Sequence, residues 1–408
     1  MARLIGLTGV VVIIGIAYLA SDNRKAIQWR MLAWGLSLQV VFGLIVLKSD
    51  LGRQALSIVA SGARLLIGFT DYGSRFLFGP LVDDSNPFIF AFRVLPIVIF
   101  ISSFFSCLYY LGIMQHIVLA MAKIMKSTMK VSGAESLGAA ANVMMGQTEA
   151  PIIVAPYIPS MTRSELLALM VGGMATVSGA ILGAYIGLGI SAEYLIAASV
   201  MAAPASLMMA KILLPETEVA MTAGEVRLDD KPEDSNLIEA AARGASQGMT
   251  LALNIAAMLV AFIAIIYLLN GILTALGNAV GLEAWLGVPV TFELILGYLL
   301  SPLAFLMGVP WHEANTVGEL VGLKLVLNEL IAYSKLAQIQ ADLTPKAQLI
   351  ATFALCGFAN FSSVGIQIGG IGALAPTRRT DLAQLGLRAL LGGSLATFLT
   401  ATIAGMLS

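Results

Sequence analysis

Three adjacent polar residues, Gln147, Thr148 and Glu149, interrupt an apolar stretch of this 408-residue chain in the run MGQTEAP (145–151). A carboxylate follows in LNELIAY (327–333) as Glu329, and Asn360, Ser362 and Ser363 stand together in CGFANFSSVGIQIGG (356–370). An amide both donates and accepts, a hydroxyl does the same, and a carboxylate accepts. Such a set recognises a neutral, hydroxyl-rich solute by hydrogen bonds. It suits an anion poorly, because no Arg or Lys accompanies the first group. Phe358 offers an apolar face beside the third group, and Ile181 another from earlier in the chain.

Plainer roles stand beside these. Glu149 can cap the helix that begins at the tip, since carboxylates favour helix N-termini. Glu329 can pair with Lys324, but five positions apart is a poor match to one helix face, and Glu319 suits Lys324 no better. Ser178 and Ser362 can bond their own backbone, and His312 and Glu313 read as structural caps. No nucleophile–base motif occurs, and two histidines and two cysteines are too few for a metal cluster. A hard cation takes oxygen ligands, often carbonyls freed where a helix unwinds. Asn142 and Thr176 supply side-chain oxygens near two such places, and the carbonyls of Met145 and Val177 are close in sequence. Spacing alone marks free carbonyls there, not an ion.

The elements that must position these groups follow from composition. Hydrophobic residues make up 58% of the chain and charged ones 12%, with mean hydropathy +0.90 and formal net charge −1. Soluble domains carry about 25% charged residues, so the chain reads as an all-α polytopic membrane protein with no signal for nucleic acid. A spanning helix needs about 20 mostly apolar residues. Eight stretches qualify: 3–20, 31–48, 88–113, 165–190, 194–214, 249–275, 347–375 and 384–407. The first is read as a retained helix, since it lacks a signal-peptide cleavage pattern. Two more, 133–161 and 292–335, are broken by Gly, Pro and polar residues and read as re-entrant hairpins. Lys123, Lys126 and Lys130 share a face of an interfacial helix over 114–130. Basic residues cluster after the first and third spans and before the last, which puts those loops inside and the N-terminus outside.

The chain reads as one membrane domain, 1–408. It has an N-terminal part (1–87, with 49–87 outside), a first repeat (88–214), a loop and lead-in (215–248, with 215–247 the long soluble loop) and a second repeat (249–408). The halves resemble each other in order. MGQTEAP matches MGVPWHEA (307–314), and GGMATVSGAILGAY (172–185) matches CGFANFSSVGIQIGG when Gly173 is set on Gly357. Opposed repeats with interrupted helices at matching positions point to a transporter site near the midplane. The rivals from other classes are an intramembrane enzyme using Glu149 and Glu329 as acid and base, and a passive channel.

The segments GQTEAPIIVAPYI (146–158), NLIEAAARGASQGMTLALN (236–254), GELVGLKLVLNELIAY (318–333) and CGFANFSSVGIQIGG give the chain a specific likeness. Over nearly its whole length it resembles the concentrative nucleoside transporter family. The resemblance implies eight spanning helices, two opposed hairpins, interfacial helices and a homotrimer in the cell (inner or plasma) membrane. It implies symport of a uridine-like nucleoside into the cell, driven by a sodium gradient, with proton coupling as the alternative found in some members. By the same resemblance, Gln147, Thr148 and Glu149 would meet the nucleobase, with Ile181 packed on it. Glu329, Asn360 and Ser363 would bond the ribose, with Phe358 alongside. Asn142, Met145, Thr176 and Val177 would hold sodium. Thr176 stands where serine is more familiar, and Met144 and Met145 are bulky beside an ion.

Overall fold

Apolar runs in lipid must satisfy their own backbone hydrogen bonds, so they fold as helices. The computed structural model describes residues 2–83, 88–222 and 234–408, which are helical with no strand among them. The N-terminal part comprises α1 (Ala2–Leu19), α2 (Trp29–Lys48), α3 (Asp50–Gly68), α4 (Thr70–Phe78) and a short α5 (Phe90–Arg93) leading into α6 (Leu95–Tyr110). Helices α3 and α4 occupy most of 49–87 and bury small or polar residues, Gly52, Ala60, Thr70 and Ser74. Residues 84–87 of that segment lie outside the described residues. The interfacial helix expected at 114–130 is α7 (Ile113–Met129). Met114, Val118, Ala122, Met125 and Met129 form its buried stripe, and Lys123 and Lys130 are exposed.

The first repeat continues with α8 (Gly133–Asn142), a turn, α9 (Ala150–Ile153), α10 (Arg163–Ala175), a break at 176–178, α11 (Gly179–Gly187) and α12 (Ala192–Leu213). Next comes α13 (Leu237–Ala279), a 43-residue rod. At about 1.5 Å per residue it is roughly twice as long as the hydrocarbon core is thick. The span expected at 249–275 is therefore the middle of a longer helix, and the end of the loop expected at 215–247 is helical. Residues 223–233 of that loop lie outside the described residues. The chain ends with α14 (Leu282–Leu286), α15 (Phe292–Leu306), α16 (Trp311–Val326), α17 (Glu329–Ile339), α18 (Pro345–Leu355), α19 (Phe361–Leu374) and α20 (Arg379–Leu407).

Among the described residues six helices are long and apolar enough to cross a membrane: α2, α5–α6, α10–α11, α12, α13 and α20 with the turn before it. Two of the eight expected spans take other forms. The apolar part of α1, Leu4–Leu19, is shorter, and 347–375 is the pair α18 and α19 with a break between. The apolar stretches of α12 and α20 are 89% and 83% buried, that of α13 only 17%. The former make an inner core. The latter presents Leu253, Val260, Leu268 and Ile272 outward, to lipid or another apolar surface.

The second hairpin is built differently from the expectation. A sharp bend of 116° does fall at 307–310, between α15 and α16. Yet the counterpart of the first tip is the break at Leu327–Asn328, between α16 and α17. Chain order fixes the match: α8, tip, α10, break, α11 corresponds to α16, break, α18, break, α19. The N-terminal turns agree as well, with Glu135 third in α8 and Glu313 third in α16. MGVPWHEA holds the strong breakers Gly308, at φ +101°, and Pro310, so it resembles a tip. Leu327 and Asn328 carry no such signal.

The two broken helices cross at their breaks. Phe358 N–H donates to the Thr176 carbonyl at 3.2 Å. A Cβ on Gly357 would stand 2.9 Å from the carbonyl oxygens of Met174 and Ala175, so only glycine permits this approach. At one end of the molecule, Ser132–Glu135 and Thr162–Glu165 form capping boxes that start α8 and α10. Lys211 joins them, pairing with Glu135 and donating to Ser164 Oγ at 2.8 Å and Glu216 Oε2 at 3.2 Å. Thr162 Oγ1 also donates to Glu216 Oε2, at 2.7 Å. This network ties both arms to the end of α12.

Candidate functional site

The first tip begins where α8 stops at Asn142. Glu149 Oε2 accepts from Gly146 N–H at 2.9 Å and closes the turn on itself. Glu149 therefore does not cap α9, whose start has no side-chain cap. Its side chain is exposed, Gln147 is turned inward and buried, and Thr148 is half-buried. Thr148 lies against Gly370, where an added Cβ would stand 2.9 Å from its methyl.

From Gln147 a continuous chain of hydrogen bonds runs into the second repeat. Gln147 Nε2 donates to Ser363 Oγ at 3.0 Å, and Ser363 N–H donates to Asn360 Oδ1 at 2.9 Å. Asn360 Nδ2 donates to Glu329 Oε2 at 2.9 Å, and Tyr185 OH donates to Glu329 Oε1 at 3.1 Å. Asn360 is the N-cap of α19, and Glu329 opens α17 behind its N-cap Asn328. Helix N-termini favour both roles, because their first N–H groups lack helical partners and the dipole attracts a carboxylate. Glu329 thus stays buried with each oxygen bonded to a neutral donor. Four of the singled-out residues, Gln147, Glu329, Asn360 and Ser363, form one cluster although 216 positions separate the most distant bonded pair.

Ile181 is buried and lies one turn before Tyr185 on the same face of α11. Phe358 is half-buried in the crossing of the breaks. Ser178 Oγ accepts from Ile181 N–H at 3.4 Å and so caps α11, a backbone role. Ser362 Oγ donates instead to Asn360 Oδ1 at 2.7 Å. Glu313 accepts from Thr344 N–H and Oγ1, at 2.6 and 2.7 Å, at the start of α18, which fits the cap reading.

Among the described residues, the neighbourhood of Asn142 is a candidate place for a cation. Asn142 is fully buried, and its Nδ2 donates to the Gly138 carbonyl at 2.9 Å. That turns Oδ1 away, and Oδ1 is buried without a hydrogen-bond partner. An orphaned acceptor of this kind costs about 1–3 kcal/mol, unless something positive meets it. Thr176 Oγ1 donates to the Gly172 carbonyl at 2.9 Å, leaving its lone pairs available. Met145 and Val177 lie in the non-helical turns beside them. The donors are neutral oxygens, and among the described residues no group of three His, Cys, Asp or Glu side chains could hold a metal. The set fits a weakly held monovalent cation better than a transition metal.

Two members of the cluster escape a reading of motifs. Gln367 is fully buried on α19 and donates to Gln147 Oε1 at 3.2 Å and to the Met170 carbonyl at 2.9 Å. Tyr185 is fully buried and packs against Tyr333 with the rings tilted, at 4.2 Å between ring centres. A buried amide or phenol in an apolar helix is expensive without partners, and that cost was a usable signal for both. Lys324 does not pair with Glu329. It turns to the Ala354 carbonyl and Thr397.

Three family models together cover most of the chain. They are the Na+ dependent nucleoside transporter N-terminus over residues 8–81, nucleoside recognition over 91–192, and the Na+ dependent nucleoside transporter C-terminus over 194–405. An uncharacterized transporter of Haemophilus influenzae is 46% identical over 415 residues, covering 100% of this chain and 98% of its own length. Mouse sodium/nucleoside cotransporter 1 is 41% identical over 99% of this chain, which spans 64% of that longer protein. Among solved structures, CNTnw in an inward-facing substrate-bound state superposes with a TM-score of 0.94 at 42% identity, covering 100% of this chain and 99% of that one. A CNTnw variant in an outward-facing state superposes with a TM-score of 0.95.

Proposed function

The chain belongs to the sodium-dependent nucleoside transporter family, and on that footing we propose that it carries nucleosides into the cell by symport with sodium. It is a multi-pass membrane protein and not an enzyme. The observation that carries the proposal is the hydrogen-bonded cluster Gln147–Ser363–Asn360–Glu329, in which two opposed repeats meet.

In this reading Gln147, Thr148 and Glu149 face the nucleobase, whose edges present donors and acceptors like those of an amide. Ile181 supplies the apolar surface on which the base packs. Glu329, Asn360 and Ser363 bond the ribose hydroxyls, with Phe358 alongside. The Glu329 carboxyl accepts from hydroxyls, and when ionised it does so by a charge-assisted bond stronger than a neutral one. Sodium is carried with the nucleoside and takes Oδ1 of Asn142, the Thr176 hydroxyl and the carbonyls of Met145 and Val177. Its charge relieves the orphaned Asn142 oxygen and orders the turn that presents Gln147. Sodium then raises nucleoside affinity, and by linkage nucleoside raises sodium affinity by the same factor.

Transport proceeds by alternating access around this site. The solved relatives in inward- and outward-facing states support that reading. The exposed apolar side of α13 supports assembly as a homotrimer in the cell membrane. The test is uridine binding to purified protein over a sodium series. Affinity that rises with sodium supports the reading, and affinity unmoved by sodium removes the coupling.

A further inference from the structure

The second repeat carries a buried lysine that substrate recognition leaves unused. Lys324 is 0% exposed, in the last turn of α16. Its ammonium donates to the Ala354 carbonyl at 2.8 Å and to Thr397 Oγ1 at 3.0 Å, and it lies 5.8 Å from the centre of the Phe398 ring. None of these partners is a carboxylate. An ammonium in a membrane interior is costly, and here two oxygens and a ring face offset that cost.

The repeat identifies that place. In the first half Asn142 ends α8 and lies against Gly172, in the last turn of α10. In the second half the residue in register with Asn142 is Leu320, and Lys324, one turn further along α16, reaches Ala354, in the last turn of α18, with its long side chain. Helices α8 and α16 are matching arms, and α10 and α18 are the matching helices before the breaks. Where α10 and α18 stop, their last carbonyls lack helical partners and carry the negative end of the dipole. Both places are therefore lined by oxygen and drawn to a cation. At the first, Asn142 presents an acceptor that no donor meets. At the second, the donor is already part of the chain.

We propose that Lys324 is a tethered cation. Its ammonium fills, in the second repeat, the position that sodium fills in the first. It is a positioning residue that holds the α18–α19 break, and with it Asn360 and Glu329, in the binding arrangement. It also limits coupling to the single sodium of the first repeat. The proposal rests on the reading of Asn142 and Thr176 as sodium ligands.

The test is nucleoside binding by purified protein in vesicles over a sodium series, for Lys324→Asn and Lys324→Met. Asparagine puts an oxygen where the ammonium was, and methionine puts none. For Lys324→Asn, nucleoside affinity at limiting sodium falls about tenfold, within the usual range of coupling between sites. It recovers at high sodium, and the sodium dependence becomes sigmoidal. Lys324→Met shows the same fall without recovery. Equal responses of the two variants to sodium, or wild-type affinity with unchanged sodium dependence in Lys324→Asn, overturn the proposal. A lysine with only a packing role predicts no such split. If Lys324→Asn yields no folded protein, Lys324→Gln carries the same oxygen on a longer stem and is read in the same way. The wild-type arm separates the two readings: a wild type indifferent to sodium defeats the sodium site itself.

Discussion

Asn360 Nδ2 donates to Glu329 Oε2 at 2.9 Å and so joins the N-cap of one helix to the first residue of another, 31 positions away. Both helices begin at breaks in apolar segments. The bond holds a buried carboxylate without an ion pair and leaves it able to accept from a substrate hydroxyl. Glu329→Gln keeps the shape and removes the charge. It weakens nucleoside binding by about 1.5–3 kcal/mol, the worth of a hydrogen bond to a charged group, while free nucleobases lose little. Calorimetry with uridine and uracil checks this, and equal losses for both would detach Glu329 from the ribose.

Tyr185 holds the other oxygen of Glu329. Tyr185→Phe retains the ring contact with Tyr333 and deletes one donor. Nucleoside affinity falls by about tenfold, again the scale of one charge-assisted bond, and the melting temperature falls as well, because the buried Glu329 Oε1 loses its donor. A loss of stability with unaltered affinity would make Tyr185 a packing residue.

Asn142→Ala removes the orphaned oxygen. The concentration of sodium needed for half-maximal nucleoside binding rises at least several-fold, while binding at saturating sodium is largely preserved. Sodium titrations of uridine binding measure both. Unchanged sodium dependence would exclude Asn142 as a ligand.

Gly173 allows the first tip to reach the second repeat. A Cβ there would stand 2.9 Å from Gln147 Cβ, 3.2 Å from Gln147 Cα and 2.8 Å from Gln367 Nε2. Gly173→Ala displaces Gln147 at a cost of about 1–3 kcal/mol, as overpacking does, and lowers both affinity and melting temperature. Gly369→Ala, where a Cβ meets open space, is the control and changes affinity little.

Glu216 sets an acid limit on the network around Lys211. Burial pushes its carboxyl up, but the Lys211 ammonium and the Thr162 hydroxyl outweigh that and hold it below the usual carboxylate value. A lowered folded value means the contribution is complete above the unfolded value of about 4.3 and is lost as pH falls through the folded one. The melting temperature therefore falls in that acid range, and Glu216→Gln flattens the fall. An identical acid profile in the variant would clear Glu216 of the role.

The sequence discloses the polar cluster better than the scaffold. Gln147, Glu329, Asn360 and Ser363 stand out because polar side chains in apolar segments need partners, and the structure partners them with one another. Side-chain direction does not show in the same way. Glu149 turns out and Gln147 turns in because the carboxylate folds back onto Gly146 N–H, a contact that no periodicity announces. The second break hides for a related reason. Gly308 and Pro310 mark a bend that only redirects the chain, whereas Leu327–Asn328 interrupts a helix with no breaker residue, held by the capping of Asn328 and contacts across the repeat. Gln367 and Lys324 lie in segments whose motifs draw attention elsewhere, and their partners come from the first tip, α10, α18 and α20. The extension of α13 beyond a membrane's thickness shows how a span can be recognised while its ends are not.

Uptake of uridine into vesicles containing the purified protein, with an imposed inward sodium gradient, joins the cluster to the cation. Accumulation above the outside concentration is expected; it disappears when the sodium gradient is dissipated, and in Asn142→Ala it requires a several-fold higher outside sodium concentration. Uptake indifferent to both sodium and proton gradients, with no accumulation, would contradict symport and leave a passive pathway in its place.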